Sequence, residues 1–225
     1  MLSVIPDSRN CNGQIQHMDE KVKAMARRMM NDMSGTVARM EKFPVRLPED
    51  PERTMALLLG WYGTVVESRG CVFSVDENTE SKVERVVKWM HESRKRGLLL
   101  CGTLGNGKTT MLKALKYMFG SRAVYLEAQQ AYDYFKKNQS LPAVAPNEVL
   151  LLDDLGVEPS SYNDFGEIRY PLTELMMARY RLNATTVIAT NYTFEQIGET
   201  YGDRIQDRMR EMFAMITYTE PSYRK

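Results

Sequence analysis

The stretch GTLGNGKTT, Gly102 to Thr110, satisfies G-x-x-x-x-G-K-[ST] at Gly102, Gly107, Lys108 and Thr109. That pattern has meaning only when a strand enters it and a helix leaves it. Both flanks are present. Leu98–Cys101 is apolar throughout, and Thr109–Phe119 places Met111, Leu112, Leu115, Met118 and Phe119 on one stripe before Gly120 ends it. Gly105 and Gly107 let the backbone turn, so that successive N–H groups from about Gly105 to Thr110 can face phosphate oxygens within a nucleotide-binding stretch of Gly102, Leu104, Gly105, Asn106, Gly107, Lys108, Thr109 and Thr110. The helix N-terminus adds its positive end. Lys108 can reach β- and γ-phosphates, and the Thr109 hydroxyl can ligate Mg2+. The stretch alone calls for ATP or GTP without choosing between them.

Further polar residues fall where apolar runs end. In VLLLDDLG, the run Val149–Leu152 delivers Asp153 and Asp154. Two adjacent carboxylates repel each other unless a cation or a water proton engages them. Asp153 fits the magnesium side through a bound water, and Asp154 the polarisation of an attacking water. In TTVIATNY the strand gives way to Thr190 and Asn191, whose amide can orient that water, although Asn also commonly opens a turn. YGDRIQDRMREMF carries Arg204, Arg208 and Arg210 on a short helix, the first two sharing a face. A guanidinium supplied in cis or by a neighbouring subunit stabilises charge on a transferring phosphoryl group. Asp203 and Asp207 among these arginines equally suit a solvated helix.

Five short apolar runs, Leu98–Cys101, Ala123–Leu126, Val149–Leu152, Thr186–Ala189 and Ala214–Tyr218, alternate with helical patterns. The alternation predicts an α/β fold in which helices cover both faces of a five-stranded parallel sheet and ligands bind at the carboxyl ends of its strands. A helix over Pro171–Arg181 turns Leu172, Leu175, Met176 and Tyr180 inward. Another, capped within Asp76–Thr79, carries Val83, Val86, Val87 and Met90. The Arg94, Lys95, Arg96 cluster after it suits a helix end or a DNA contact. Ahead of Val75, residues 17–42 carry a Met-rich helical stripe, FPVRLPEDPE breaks it, and a second helix runs from about Pro51 to Ser68. We divide the chain into a small N-terminal helical unit, 1–74, and a nucleotide-binding domain, 75–225. The stripe is either the unit's own core or a docking face for a partner helix.

Composition narrows the partners. The net charge of +1 is evenly spread, so nucleic acid would have to be bound by a local patch. Lys136 and Lys137 beside Tyr132, Tyr134 and Phe135 form one stacking-and-phosphate combination, and they fit a helix with a buried aromatic face as well. No apolar run approaches the roughly 18 residues of a membrane span. The N-terminus lacks the pattern of a signal peptide, which predicts a cytoplasmic protein. Cys11, Cys71 and Cys101 are too scattered to suggest a disulfide framework or a zinc site.

The order GTLGNGKTT, LLLDDLG, VIATNYT, YGDRIQDRMR and a closing SYRK resembles the AAA+ ATPases of the DnaC and IstB group, which are bacterial helicase loaders and transposition helpers. The resemblance spans about Val75 to Lys225. It implies a P-loop NTPase of the AAA+/ASCE type that binds and hydrolyses ATP with Mg2+. Lys108 and Thr109 are then the Walker A residues, Asp153 and Asp154 the Walker B pair, and Asn191 the sensor-1 residue. Arg208, with Arg204 as second candidate, is the arginine finger reaching a neighbour's ATP. The resemblance further implies a DnaC-like loader in DNA replication whose N-terminal unit docks a replicative helicase, or an IstB-like helper that meets a transposase. It also implies a nucleotide-dependent homo-oligomer and admits single-stranded DNA as a ligand.

The sequence departs from the group's pattern in three places. The residues after Asn191 are used by the arginine helix and the last strand, so no full C-terminal lid is expected. The segment Ala128 to Glu148 is too short for the additional helix with which loaders and initiators grip single-stranded DNA. Asp154 stands where most AAA+ enzymes have Glu, one methylene longer, which suits slow, assembly- or DNA-stimulated hydrolysis. A small-molecule kinase shares the P-loop but requires an arginine-rich lid and an acceptor pocket, neither visible here. A non-hydrolysing, nucleotide-gated interaction module is the other alternative.

Overall fold

The computed structural model describes residues 47–142, 145 and 148–219, all within one compact unit, Lys42–Lys225. The helical pattern at 17–42 and the closing SYRK lie outside the described residues. Helix α1, Pro51–Glu67, starts where the Asp50 carboxylate accepts from the Glu52 N–H at 3.0 Å and Pro51 fills the first turn. Helix α2, Glu77–Glu92, is capped in the same way by Asp76, which accepts from Thr79 N at 2.7 Å. There follow β1 (Gly97–Gly102), α3 (Lys108–Phe119), β2 (Ala123–Glu127), α4 (Ala128–Asn138), β3 (Val149–Leu155), β4 (Tyr162–Asp164), β5 (Glu167–Arg169), α5 (Pro171–Arg181), β6 (Thr186–Thr190), α6 (Phe194–Tyr201), α7 (Asp203–Met212) and β7 (Phe213–Tyr218).

Strands β2-β3-β6-β1-β7 form one parallel sheet in that order. Side chains alternate across it as the two-residue strand period requires. Leu98, Leu100 and Leu151 pack on one face with Met111 and Leu115 of α3 and Val83 and Val86 of α2. Leu99, Cys101, Leu150 and Leu152 pack on the other with Tyr132 of α4, Leu175 of α5, Ile197 of α6 and Met209 of α7. Strands that are apolar at every position read so because both faces are covered. The sheet order sets β1 beside β6, and β6 beside β3, so the chain leaves all three at one edge. That edge brings Gly102, Asp153 and Asn191 together.

Helix α1 packs differently from the division drawn at residues 74 and 75. Its fully buried Leu58 and its Tyr62 enter the same core cluster as Leu98 of β1 and Leu112 of α3. Burying one such side chain contributes about 1.5–3 kcal/mol, which ties α1 to the sheet domain. The surface that covers Leu58 lies far along the chain, which is why local sequence does not join this helix to the sheet.

Two elements were not anticipated. The antiparallel pair β4–β5 turns at Phe165 and Gly166, with φ of 49° and 96°, and leaves Phe165 wholly exposed. Helix α6 is started by a capping box, Gln196 N donating to Thr193 Oγ1 at 3.3 Å and Thr193 N to Gln196 Oε1 at 2.8 Å. Helix α4 has the buried aromatic face: Tyr132 and Phe135 are inside, whereas Tyr134 is exposed and Lys136 lies 5.9 Å from the Tyr162 ring. Two of the three rings considered for base stacking are thus core residues. Among the described residues no helix is long and apolar enough to cross a membrane.

Candidate nucleotide-binding site

Between β1 and α3 the loop turns through Gly105 and Gly107, both at positive φ. A Cβ on Gly107 would collide with the Tyr62 hydroxyl from α1, so space as well as dihedral angle demands glycine there. Helix α3 has Gly107 as N-cap and no side-chain cap. Its first N–H groups therefore remain available to an anion.

Lys108 is nearly buried. Its ammonium donates to the carbonyls of Gly102 and Thr103, each at 2.8 Å, to Asn106 Oδ1 at 3.3 Å and to Asn191 Oδ1 at 2.9 Å. The charge is folded back over the cradle, and phosphate oxygens can replace those neutral acceptors with charge-assisted bonds roughly twice as strong.

Asp153, almost fully buried at the end of β3, meets the cradle through Thr109, whose Oγ1 donates to Asp153 Oδ1 at 3.3 Å. Tyr125 of β2 donates to Asp153 Oδ2 at 2.6 Å. Burial, and then the carboxylate it serves, pushes the Tyr125 phenol far above its ordinary range, so it stays a donor. One hydroxyl and one carboxylate at the end of a phosphate cradle fit Mg2+, a hard cation that keeps its remaining positions for water and phosphate oxygens.

Asp154 sits at φ 53°, a conformation few non-glycine residues adopt, though Asp tolerates it better than most. Its cause is a bulge: β3 and β6 pair Leu152 with Ile188, then Leu155 with Thr190, so β3 carries one extra residue. Thr190 Oγ1 donates to Leu155 O at 2.7 Å, and Tyr192 OH to Gly156 O at 2.8 Å, which pins the bulge from β6. Farther along, Glu158 accepts from Gly156 N at 3.0 Å and from the Tyr201 hydroxyl of α6. Burial raises the Glu158 carboxyl above the usual range, although those hydrogen bonds oppose the shift.

Lys108, Thr109, Asp154 and Asn191 line one cavity of about 1040 Å³, a size that suits a nucleotide. Asp153 stands behind Thr109. Arg204 and Arg208 do not line the cavity. Arg208 donates to Glu211 Oε2 at 3.1 Å and to Tyr180 OH at 3.3 Å, and stacks 5.2 Å over that ring. Arg204 is exposed on α7, and its guanidinium has no hydrogen bond or ion pair among the described residues.

Sequence reasoning missed several supports. Lys82 of α2 is fully buried, donates to Asn106 O at 3.1 Å and lies 5.2 Å from the Tyr218 ring. Arg69, just past α1, donates to Thr110 Oγ1 at 3.0 Å. Tyr62, Tyr125 and Glu158 complete the set. Nothing in their local spacing marks them, since each acts on a residue distant in sequence.

The parallel sheet, its strand order and the glycine-rich turn between β1 and α3 make an α/β fold of the P-loop kind. Among solved structures the chain is similar to DnaI, at 22% identity over 68% of this chain and 88% of that one, with a TM-score of 0.50. A protein from Streptococcus pyogenes serotype M3 assigned as a primosome component shares 17% identity over 76% and 98% of the two chains, again with a TM-score of 0.50. AMPPCP-bound DnaA from Aquifex aeolicus aligns at 20% identity over 65% of this chain and 48% of that one, with a TM-score of 0.46. At these identities the likeness is one of fold. No family model and no curated protein matches the chain.

Proposed function

We propose that the chain is a nucleotide-switched AAA+ ATPase that binds and hydrolyses ATP with Mg2+ and acts as a DnaC-like loader of a replicative helicase. The observation that carries the ATPase reading is the meeting of Lys108, the Thr109–Asp153 pair, Asp154 and Asn191 at the carboxyl ends of β1, β3 and β6. The polyphosphate lies along the N-terminus of α3, and Lys108 exchanges its carbonyl and amide acceptors for β- and γ-phosphate oxygens. Thr109, and Asp153 through a bound water, would hold Mg2+, which would neutralise charge on those phosphates. Asn191, released by Lys108, orients a water in line with the γ-phosphorus. Asp154 polarises that water as its O–P bond forms and the bond to the β–γ bridging oxygen breaks, giving ADP and phosphate.

The arginine finger acts in trans, from a second copy of the chain. The exposure of Arg204 supports it over Arg208, whose guanidinium is engaged by Glu211 and Tyr180. Residues ahead of α1 dock the partner. The loader role follows the resemblance of the motifs, and a phosphate-release assay tests it: turnover should be slow alone and change severalfold on adding a replicative helicase or single-stranded DNA. Turnover that depends on a small-molecule acceptor would replace this reading with a kinase, and a response to a transposase alone would replace it with a transposition helper.

A further inference from the structure

The cavity wall facing the strand ends is made by the end of α1 and the connection to α2, through Tyr62, Val66, Arg69, Val72 and Phe73. Four of these five offer mainly apolar surface, with the Tyr62 and Phe73 rings 6.0 Å apart. Arg69 differs. Its backbone N–H closes the end of α1 by donating to Val66 O at 3.1 Å, and its Nη1 donates to Thr110 Oγ1 at 3.0 Å. Among the described residues it has no carboxylate partner. A guanidinium has five N–H donors and a permanent charge, so a single neutral hydroxyl leaves most of its capacity for a ligand.

Position along the cradle selects that ligand. Lys108 reaches Gly102, Thr103 and Asn191, at the strand end of the cavity. Arg69 reaches Thr110, beside the apolar wall. A nucleotide spanning the two places its terminal phosphates at Lys108 and its base against Val66, Val72 and Phe73. The phosphate nearest the nucleoside then falls at Arg69.

We propose that Arg69 is a nucleotide ligand that leaves the Thr110 hydroxyl to bind the α-phosphate. This rests on the reading that the cavity holds ATP. Calorimetric titration of the full chain with ATP and with ADP, both with Mg2+, tests it on wild type, Arg69→Ala, Arg69→Gln and Arg69→Lys, alongside Lys108→Ala. A hydrogen-bonded charge at a phosphate is worth about ten- to a hundredfold in affinity. Arg69→Ala and Arg69→Gln should weaken ATP and ADP by the same factor in that range, and Arg69→Lys should recover most of it. Gln can still meet Thr110 but carries no charge, so full affinity in Arg69→Gln overturns the proposal. So does a loss confined to ATP, which would put Arg69 at the γ-phosphate, or an equal loss in Arg69→Lys, which would make the role one of shape. If wild type binds ATP, Lys108→Ala does not, and Arg69→Ala matches wild type, only the role of Arg69 falls. If wild type binds neither nucleotide, the reading beneath it falls as well.

Discussion

Lys108 Nζ donates to Asn191 Oδ1 at 2.9 Å, joining the first residue of α3 to the residue after β6 across 83 positions of sequence. The cation that would grip the terminal phosphates and the amide that would orient the water hold each other. Under the proposed function, a nucleotide that took Lys108 would free Asn191 in the same event, linking binding to preparation for hydrolysis.

Asn191→Ala should separate the two. Turnover should fall about 10²- to 10³-fold, as when one positioned polar group is removed from a reacting centre. ATP affinity should hold or tighten slightly, because Lys108 has one acceptor fewer to leave. Single-turnover phosphate release with an equilibrium titration measures both, and unchanged turnover removes Asn191 from the chemistry.

Leu58→Ala should destabilise the sheet domain by about 2–5 kcal/mol, as deletion of a fully buried leucine side chain does. Its exposed neighbour Leu57 should tolerate alanine within about 0.5 kcal/mol. Urea unfolding of the two variants decides whether α1 belongs to the core. Equal, small effects would return it to a separate unit.

The sheet and the glycine turn between β1 and α3 were legible because their signals are local. Apolar runs such as Val149–Leu152 and the glycines around Lys108 specify backbone geometry within a few residues. The β4–β5 hairpin was not, since three-residue strands are too short to show a periodicity, and the turn is marked only by residues 163–166, in which Asn163 Oδ1 accepts from Gly166 N–H at 2.7 Å. The T-x-x-Q box from Thr193 to Gln196 was available in the sequence and unused. Lys82 and Tyr125 gain their roles from Asn106 and Asp153, which only the fold brings near. Asp154 was placed at the right strand end, but its φ of 53° depends on a bulge set by pairing with β6.

Glu158 should give the protein a stability loss with rising pH. Its carboxyl is raised in the folded state by burial, so between the ordinary carboxylate range of about 4.3 and the raised folded value the folded chain binds more protons than the unfolded one. Stability contributed by this group is therefore complete below that window and falls as pH rises through it. Glu158→Gln, whose one oxygen can accept from Gly156 N–H while its NH2 donates to the Tyr201 hydroxyl oxygen, should flatten this part of the profile. Urea titrations from pH 4 upward compare the two proteins, and parallel profiles would contradict the assignment.

Arg204→Ala should lower turnover about 10³-fold, the lower end of an arginine finger's worth, only at protein concentrations where the chain self-associates, with ATP affinity unchanged. Arg208→Ala should act less on turnover, because its guanidinium is already engaged by Glu211 and Tyr180. Phosphate release measured against protein concentration distinguishes them. A larger concentration-dependent loss in Arg208→Ala would reverse the assignment.

The most direct test of the nucleotide site is equilibrium binding of ATP with Mg2+ to wild type and Lys108→Ala. Wild type should bind saturably at one site per chain, and the variant should lose about a hundredfold or more in affinity, since a charge-assisted contact to two phosphates is removed. Equal affinity in the two proteins, or no binding by wild type, would contradict the reading of Gly102–Thr110 as a phosphate cradle.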